Sequence, residues 1–306
     1  MLLLVFSLSL TFGSQYIPLS SLWQNPNGHL LDIILSIRLP RSINAITVGA
    51  LLSIAGLMIQ NLVKNPLADP YILGLSGASA SIQLIIIASG IVLPMWLFML
   101  CGFLAAILSL LLLLLLSSRK RLNTSNLLLS GVVTAFAYGA LISLTLTMSP
   151  MSSTKPMLFW LMGDLSYTQS SLLPLVLLII GALWAYKYHK ELDILARGEF
   201  FAEKCGVDVK KTNMILLFST TLFTAAAVSI AGTIGFVGLV VPHVSRLLVG
   251  NSHSKLIPVS AIIGAIFLLV ADTFSRTIVA PIQLPVGIFT ALIGVPIFII
   301  LLRTRT

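Results

Sequence analysis

Long runs of apolar residues, separated by short polar connections, occupy almost the entire chain. Nine of these runs approach or reach the roughly 20 residues that a helix needs to cross the core of a bilayer. They cover residues 43–63, 71–91, 94–116, 127–148, 172–186, 213–231, 232–249, 256–274 and 286–302. Residues 1–13 are also apolar, and we interpret them as a shorter first span. The pattern predicts an all-α, polytopic membrane protein with about ten transmembrane helices, in which residues 1–306 form a single domain.

Composition agrees with this prediction. Hydrophobic residues make up 58% and charged residues 9% of the 306 positions, and the mean hydropathy is +1.06, values far from those of a soluble globular protein. The net charge of +9 alone could indicate nucleic-acid binding. However, the basic residues form short clusters beside apolar runs, without an aromatic-lined basic patch. Membrane lipid and topology account for the charge better, and we expect no nucleic-acid partner.

The distribution of Lys and Arg predicts the orientation of the chain. If both termini are cytoplasmic, fourteen basic residues lie on the cytoplasmic side and four on the other. Those four are Arg38, Arg41, Lys155 and Arg276. This bias requires the run at 232–249 to cross the membrane, although its glycines and its proline indicate a short, interrupted span. We therefore predict a multi-pass protein of the cell's inner (plasma) membrane.

A weak internal repeat accompanies the apolar pattern. At an offset of 176 positions, residues 53–56 and 229–232 share the sequence SIAG, Pro66 pairs with Pro242, and Gly74 pairs with Gly250. The second copy begins five spans after the first, which is an odd number. The two halves would therefore be inverted in the membrane, an arrangement common in transporters.

The segment at 187–212 is the main polar interruption, and it contains eleven of the 27 charged side chains. Gly198 and Gly206 divide it into two pieces that could each form a short helix with one apolar face. Phe200 and Phe201 lie among the charges. One interpretation is a solvated connector that returns these aromatic rings to its own membrane domain. The other is a docking element for a cytoplasmic subunit, because an exposed apolar face favours a partner.

The sequence contains no recognisable motif for ATP hydrolysis, metal binding or ion coupling. There is no phosphate-binding GxxxxGK[ST] motif, so any ATP hydrolysis would require a separate subunit. The four histidines lack metal-ligand spacing, and we expect no metal site. Asp272 is the single acid within a predicted span, and Arg276 follows it by one helical turn. A local ion pair is a better explanation than a proton relay, which disfavours coupling to an ion gradient.

Four motifs resemble those of the FecCD-type permeases, which belong to ABC importers for iron-siderophores, haem and cobalamin. They are RLPR at 38–41, GALLSIAGLMIQNLVKNPLADPYILGLSGA at 49–78, GTIGFVGLVVPHVSR at 232–246 and LPVG at 284–287. The resemblance covers nearly the whole chain, and the short first span is its main departure. It implies the type II permease fold, a homodimer, two cytoplasmic ATP-binding subunits that bind ATP and Mg, and a periplasmic substrate-binding protein. It also implies that this chain has no catalytic residues and no cofactor of its own.

The resemblance further implies roles for individual residues. The ATPase-coupling loop would comprise Leu195, Arg197, Gly198, Glu199, Phe200, Phe201, Ala202, Cys205, Gly206 and Val207. Arg38, Arg41 and Arg276 would face outward and pair with acidic residues of the substrate-binding protein, although contact with lipid headgroups is an alternative. Thr124 and Ser125 would form a cytoplasmic gate, and they could also cap the following helix.

Two other classes remain open at this level. A secondary carrier or channel would be favoured if Asp272 were essential without an ATPase partner. An intramembrane enzyme would need a catalytic constellation, which we do not find in the sequence. The transported chelate does not follow from these motifs, because permeases for all three substrate classes share them.

Overall fold

The computed structural model describes residues 1–15, 17, 29–117, 124–166 and 173–303, and these residues form helices joined by short connections. The first half contains α1 (Leu2–Thr11), α2 (His29–Ile33), a π-helix (Ile34–Arg38), α3 (Leu39–Val63), a 3-10 helix (Pro70–Leu73), α4 (Leu75–Ala88), α5 (Met95–Ser117), α6 (Thr124–Met148) and α7 (Met151–Leu161). The second half contains α8 (Leu173–Lys187), α9 (His189–Leu195), α10 (Glu199–Lys204), α11 (Val209–Ala231), α12 (Val237–Val249), α13 (His253–Thr277) and α14 (Val286–Arg303).

Each of the ten predicted spans coincides with an apolar helix. Five helical segments of the described chain are long and apolar enough to cross a membrane: α2 through α3, α5, α6, α11 and α13. Five shorter apolar helices correspond to the remaining predicted spans, namely α1, α4, α8, α12 and α14. The prediction of an all-α, polytopic architecture is therefore confirmed. The helix α7 was not predicted, because its segment contains Pro156 and several polar residues and has no long apolar run.

The helix α3 lies at the centre of the bundle, where it packs against α11, α12 and α13. Glycines make this close packing possible. A Cβ atom on Gly49 would lie 2.2 Å from the carbonyl oxygen of Gly264 on α13, and one on Gly56 would lie 1.9 Å from that of Gly238 on α12. No side chain fits at these distances, so the helix backbones meet directly, as small residues permit in membrane proteins.

The second half of the chain repeats the element order of the first. In each half a long helix is followed by a break, a shorter helix and two further apolar helices: α3 to α6 in the first half and α11 to α14 in the second. The residue pairing predicted from the 176-position offset is nevertheless wrong. Pro66 lies in the connection after α3, whereas Pro242 lies inside α12. The shared SIAG sequence is central in α3, whereas its second copy lies at the C-terminal end of α11, with Gly232 just after the helix.

Candidate functional site

The charged segment between α8 and α11 folds into two short helices, as predicted. Gly198 adopts φ 116° and ψ 152° immediately before α10, a backbone conformation that is accessible essentially only to glycine. At the other end of α10, the N–H of Gly206 donates to the carbonyl of Glu203, and the N–H of Val207 donates to that of Ala202. These two bonds form a Schellman motif, with Gly206 in the left-handed region. The two glycines therefore set the position and the length of α10.

The aromatic rings of α10 point away from the bundle. Leu192 and Leu195 of α9 are buried in the main apolar core, as is Ala202 of α10. In contrast, 72% of Phe200 and 41% of Phe201 are exposed. The interpretation of a connector that returns both rings to its own domain is therefore wrong for this structure. An exposed apolar pair on a charged surface indicates a protein-binding patch.

Cations accompany both rings of this patch. The Lys204 Nζ atom lies 4.5 Å from the ring centroid of Phe200, and the Arg197 guanidinium lies 5.8 Å from that of Phe201. Both distances fall within the range of cation–π attraction. Lys64, at the C-terminal end of α3, forms a 2.9 Å ion pair with Glu199, and both side chains are 45% exposed. The patch is thus aromatic at its centre and charged around its edge, as protein interfaces commonly are.

A polar cleft of about 660 Å³ opens beside the patch. Its walls come from the end of α3, the connection that follows α9, the end of α12 and the start of α13. The lining residues are Gln60, Asn61, Lys64, Pro66, Asp193, Ala196, Arg197, Arg246, Asn251, Ser252 and His253. Gln60 connects two of these walls: its amide donates to the carbonyls of Gly238 and Leu239, and its oxygen accepts from Arg246 Nη1 at 2.6 Å. Pro242 explains the first contact, because it lacks the N–H that would pair with Gly238.

The three predicted docking arginines lie at the end of the bundle opposite α10. We call this region the arginine end, defined by Arg38, Arg41 and Arg276. All three side chains are buried within the single chain, at 5%, 4% and 4% exposure, respectively, so their role in docking a binding protein stays a prediction. The Arg38 guanidinium donates to the carbonyls of Leu10, Thr11 and Gln15, so the connection after α1 covers it. The sequence alone could not predict that this connection buries Arg38.

Asp272 lies at the centre of the arginine end. Arg41 Nε donates to Asp272 Oδ1 at 2.8 Å, and Arg276 Nε makes an ion-pair contact with Oδ2 at 3.0 Å. The predicted ion pair between Asp272 and Arg276 is therefore confirmed, and Arg41 is an additional partner that the sequence did not reveal. Arg41 Nη1 also donates to Ser166 Oγ and Gln283 Oε1. Because Asp272 is fully buried, this carboxylate serves to neutralise buried guanidinium groups.

Asp69 is a second unusual acid, which sequence reasoning missed because it lies in a connection. Burial raises its pKa to about 6, an effect that the hydrogen bond from the Tyr71 backbone N–H partly opposes. That same bond, at 2.8 Å, caps the 3-10 helix. The Tyr71 hydroxyl in turn bonds both the N–H and the carbonyl of Ile234. Asp69 thus helps to hold the 3-10 helix against Ile234, in the connection between α11 and α12. This structural role explains the position of Asp69, and a role in proton transfer is not needed.

The remaining predicted sites give less information. The helix α6 begins at Thr124, but the side chains of Thr124 and Ser125 lie outside the described part of the structure, so the gate stays a prediction. Cys205 is exposed beside α10, and Cys101 is half-buried in α5. Among the described residues, no three His, Cys, Asp or Glu side chains come together in a group that could hold a metal ion.

Comparison with known proteins identifies close relatives of this chain. It is 38% identical over 318 residues to YvrB of Bacillus subtilis, an uncharacterized ABC transporter permease, covering 96% of this chain and 89% of that protein. It is 37% identical over 306 residues to the vitamin B12 import system permease BtuC of Escherichia coli O6:H1, covering 99% and 92%. The cobalamin import permease BtuC of Halobacterium salinarum is 40% identical over 279 residues, covering 89% and 74%.

Solved structures match the fold as well. An inward-facing structure, described as a metal-chelate type ABC transporter, superposes with a TM-score of 0.87 at 29% identity, covering 99% of this chain and 96% of that one. PsaBC of Streptococcus pneumoniae shares the fold with a TM-score of 0.60 at 16% identity, covering 92% and 95%. The model of the FecCD transport family matches residues 1–304. The chain therefore belongs to the FecCD transport family and is a multi-pass ABC importer permease of the type II fold, for which a separate subunit hydrolyses ATP.

Proposed function

We propose that two copies of this chain form a pathway that imports cobalamin, or an iron(III) chelate such as a siderophore or haem, into the cytoplasm. Two ATP-binding subunits dock on the loop at 195–207, which contains the end of α9 and the whole of α10, and a periplasmic substrate-binding protein delivers the substrate at the opposite end. The observation that carries this proposal is the exposed Phe200 and Phe201 pair on the helix that the two glycines hold in place. Such a surface is typical of a protein interface, whereas exposure of the two aromatic rings to water is unfavourable.

Cobalamin is our first choice of substrate. Two of the three relatives described above are named as importers of this vitamin, and one of them is similar over nearly its full length. The structural neighbour described as a metal-chelate transporter supports the wider class of bulky metal chelates. Within that class, iron(III) chelates are the second candidate.

The charge distribution supports an orientation for the chain. The charged segment that contains α9 and α10 lies at the same end of the bundle as the C-terminal end of α3, as the ion pair between Lys64 and Glu199 requires. We propose that this end and both termini are cytoplasmic, in the inner membrane, because most Lys and Arg residues lie on this side. The arginine end then faces the periplasm and the substrate-binding protein.

Roles for the arginines and for the gate follow from this orientation. We propose that the substrate-binding protein docks over Arg38, Arg41 and Arg276. Their three positive charges outnumber the one negative charge of Asp272, and the excess would attract acidic side chains. We propose Thr124 and Ser125, at the cytoplasmic start of α6, as the gate.

A second copy of the chain would cover the apolar surface that the single chain leaves exposed. Only 17% of the most apolar window of α6, and 33% of that of α5, is buried within one chain. Membrane lipid would cover the remaining apolar surface. We therefore place the substrate pathway between two copies, with α6 at the interface.

Replacement of Phe200 by Asp tests the docking proposal. A charged side chain at the centre of the patch should lower the affinity for the ATPase by about 30-fold or more, the effect typical of an interface hot spot. Phe200→Tyr is the matched control, because it keeps the aromatic ring and its contact with Lys204. Co-purification of the ATPase with each variant gives the readout. Undiminished co-purification with the Asp variant would contradict the proposal.

A further inference from the structure

The helices α3 and α13 are in direct contact at four levels. From the arginine end, the pairs are Arg41 with Asp272 at 2.8 Å, the backbones of Gly49 and Gly264, Ser53 Oγ with the Ser260 carbonyl at 2.8 Å, and Asn61 with His253 Nε2 at 3.3 Å. Successive contacts are 8, 4 and 8 residues apart along α3, and 8, 4 and 7 residues apart in the reverse direction along α13. The two helices therefore keep one antiparallel register along their length.

Close and continuous packing makes this pair a single mechanical unit, which we call the strut. At 1.5 Å per residue, the 25 residues of α13 extend for about 37 Å. Close-packed elements of this kind shift as rigid bodies and do not deform continuously. One end of the strut is the arginine end, and the other end lies beside the cleft and α9.

One set of hydrogen bonds, which we call the joint, connects α9 to the strut. We refer to α9 and α10 together as the coupling helices. The Asp193 Oδ1 atom of α9 accepts from the backbone N–H of His253 at 2.7 Å and lies 2.6 Å from His253 Nδ1. Asp193 thereby caps α13, a role that the preceding Ser252 does not fill. Asn61 of α3 donates to the carbonyl of Leu192 on α9. Both helices of the strut are thus bonded to α9.

These contacts are more extensive than attachment of a loop requires. Leu192 and Leu195 already bury the apolar face of α9, and the chain continues from α8 directly into α9. The joint adds hydrogen bonds at His253, the first residue of α13. Asp272 lies near the opposite end of the same helix. Energetic coupling between distant sites is carried by rigid elements of this kind when both sites act on them.

We infer that Asp193 and His253 are positioning residues for transport, because they connect the ATPase-bound coupling helices to the strut and hence to the arginine end. This inference rests on the proposed function, since it assigns a route to the movement that an ATPase would produce. It concerns residues away from the aromatic patch, so loss of the joint and loss of ATPase docking have different consequences.

The test uses the full transporter, reconstituted in liposomes with its ATPase and its binding protein, and with cyanocobalamin as the substrate. Asp193→Leu and His253→Leu should retain ATPase binding and ATP hydrolysis, but the uptake per ATP hydrolysed should fall about tenfold, within the usual range of coupling between sites. His253→Asn should recover most of the uptake, because its amide can donate from the position of Nδ1. Lys255→Leu, an exposed position on α13 two residues from His253, is the matched control and should behave like the parent protein.

Parental uptake per ATP in Asp193→Leu would overturn the inference, and so would a parallel loss of uptake and ATPase binding. Failure of the parent protein to transport any chelate would instead count against the proposed function. A second measurement needs no variant. Hydrogen exchange in residues 272–283 should change when ATP is added to the complex, and an unchanged exchange rate at the arginine end would overturn the inference.

Discussion

The two ends of the bundle hold their charges in opposite ways. At the end that carries α10, Lys64 and Glu199 pair in water, with both side chains 45% exposed. At the arginine end, Arg41 and Asp272 pair at a similar distance with 4% and 0% exposure. An exposed pair exchanges partners at little cost, whereas a buried pair loses much when either partner is removed. The first arrangement suits a docking surface, and the second suits a permanent structural core.

This difference also separates the aromatic residues from the arginines as interaction sites. Phe200 and Phe201 are available in the isolated chain, so a partner can bind them without any rearrangement. The guanidinium groups of the arginine end are already occupied by Asp272, Gln283 and the carbonyls at the end of α1 and just beyond it. A partner at that end would meet a preorganised positive field and would find few free donors.

The largest expected effect comes from removal of the buried carboxylate. Asp272→Asn leaves two adjacent guanidinium groups without a countercharge, and loss of one partner from a buried pair costs about 3–5 kcal/mol. The free energy of unfolding, measured by denaturant titration in bicelles, should fall by that amount. A loss below about 1 kcal/mol, the value typical of exposed pairs, would show that the two ends do not differ as described.

An intermediate effect is expected where the strut is most tightly packed. Gly49→Ala would place a Cβ atom 2.2 Å from the Gly264 carbonyl oxygen, and overpacking of this kind costs about 1–3 kcal/mol. Gly235→Ala, in the connection between α11 and α12, is the matched control, because no atom lies within 4 Å of the new Cβ. That control should be neutral or slightly stabilising. Equal stability of the two variants in the same titration would contradict the described approach of α3 to α13.

The smallest effect is expected at the exposed pair. Glu199→Gln removes the countercharge of Lys64, and such pairs contribute about 0–1 kcal/mol. The difference in the free energy of unfolding between this variant and the parent should shrink as salt is added, because screening weakens exposed pairs most. A cost as large as that of Asp272→Asn would contradict the comparison between the two ends.

The sequence predicted the helices well because apolar length is a strong signal in membrane proteins. All ten spans were found, and Gly198 and Gly206 correctly marked the limits of α10. The helix α11 begins at Val209, a few residues before the predicted span, because Asp208 caps it through the Lys211 N–H. Such a cap is polar, so it lies outside any apolar run.

The environments of individual side chains were harder to predict. The charge count placed Arg38, Arg41 and Arg276 on the outer side of the membrane, but it contained no information about the connections that bury them. The pairing of Arg41 with Asp272 joins residues 231 positions apart, and only the packing of α3 on α13 brings them together. The joint between Asp193 and His253 was missed for the same reason.

The central claim is that energy enters this transporter through α9 and α10 and does not come from an ion gradient. Its most direct test is uptake of cyanocobalamin by sealed proteoliposomes that contain the chain, its ATPase and its binding protein. We predict that uptake continues when a protonophore collapses the proton gradient, and that it stops when ATP is replaced by a non-hydrolysable analogue. Loss of uptake on addition of the protonophore, with ATP still present, would contradict the claim.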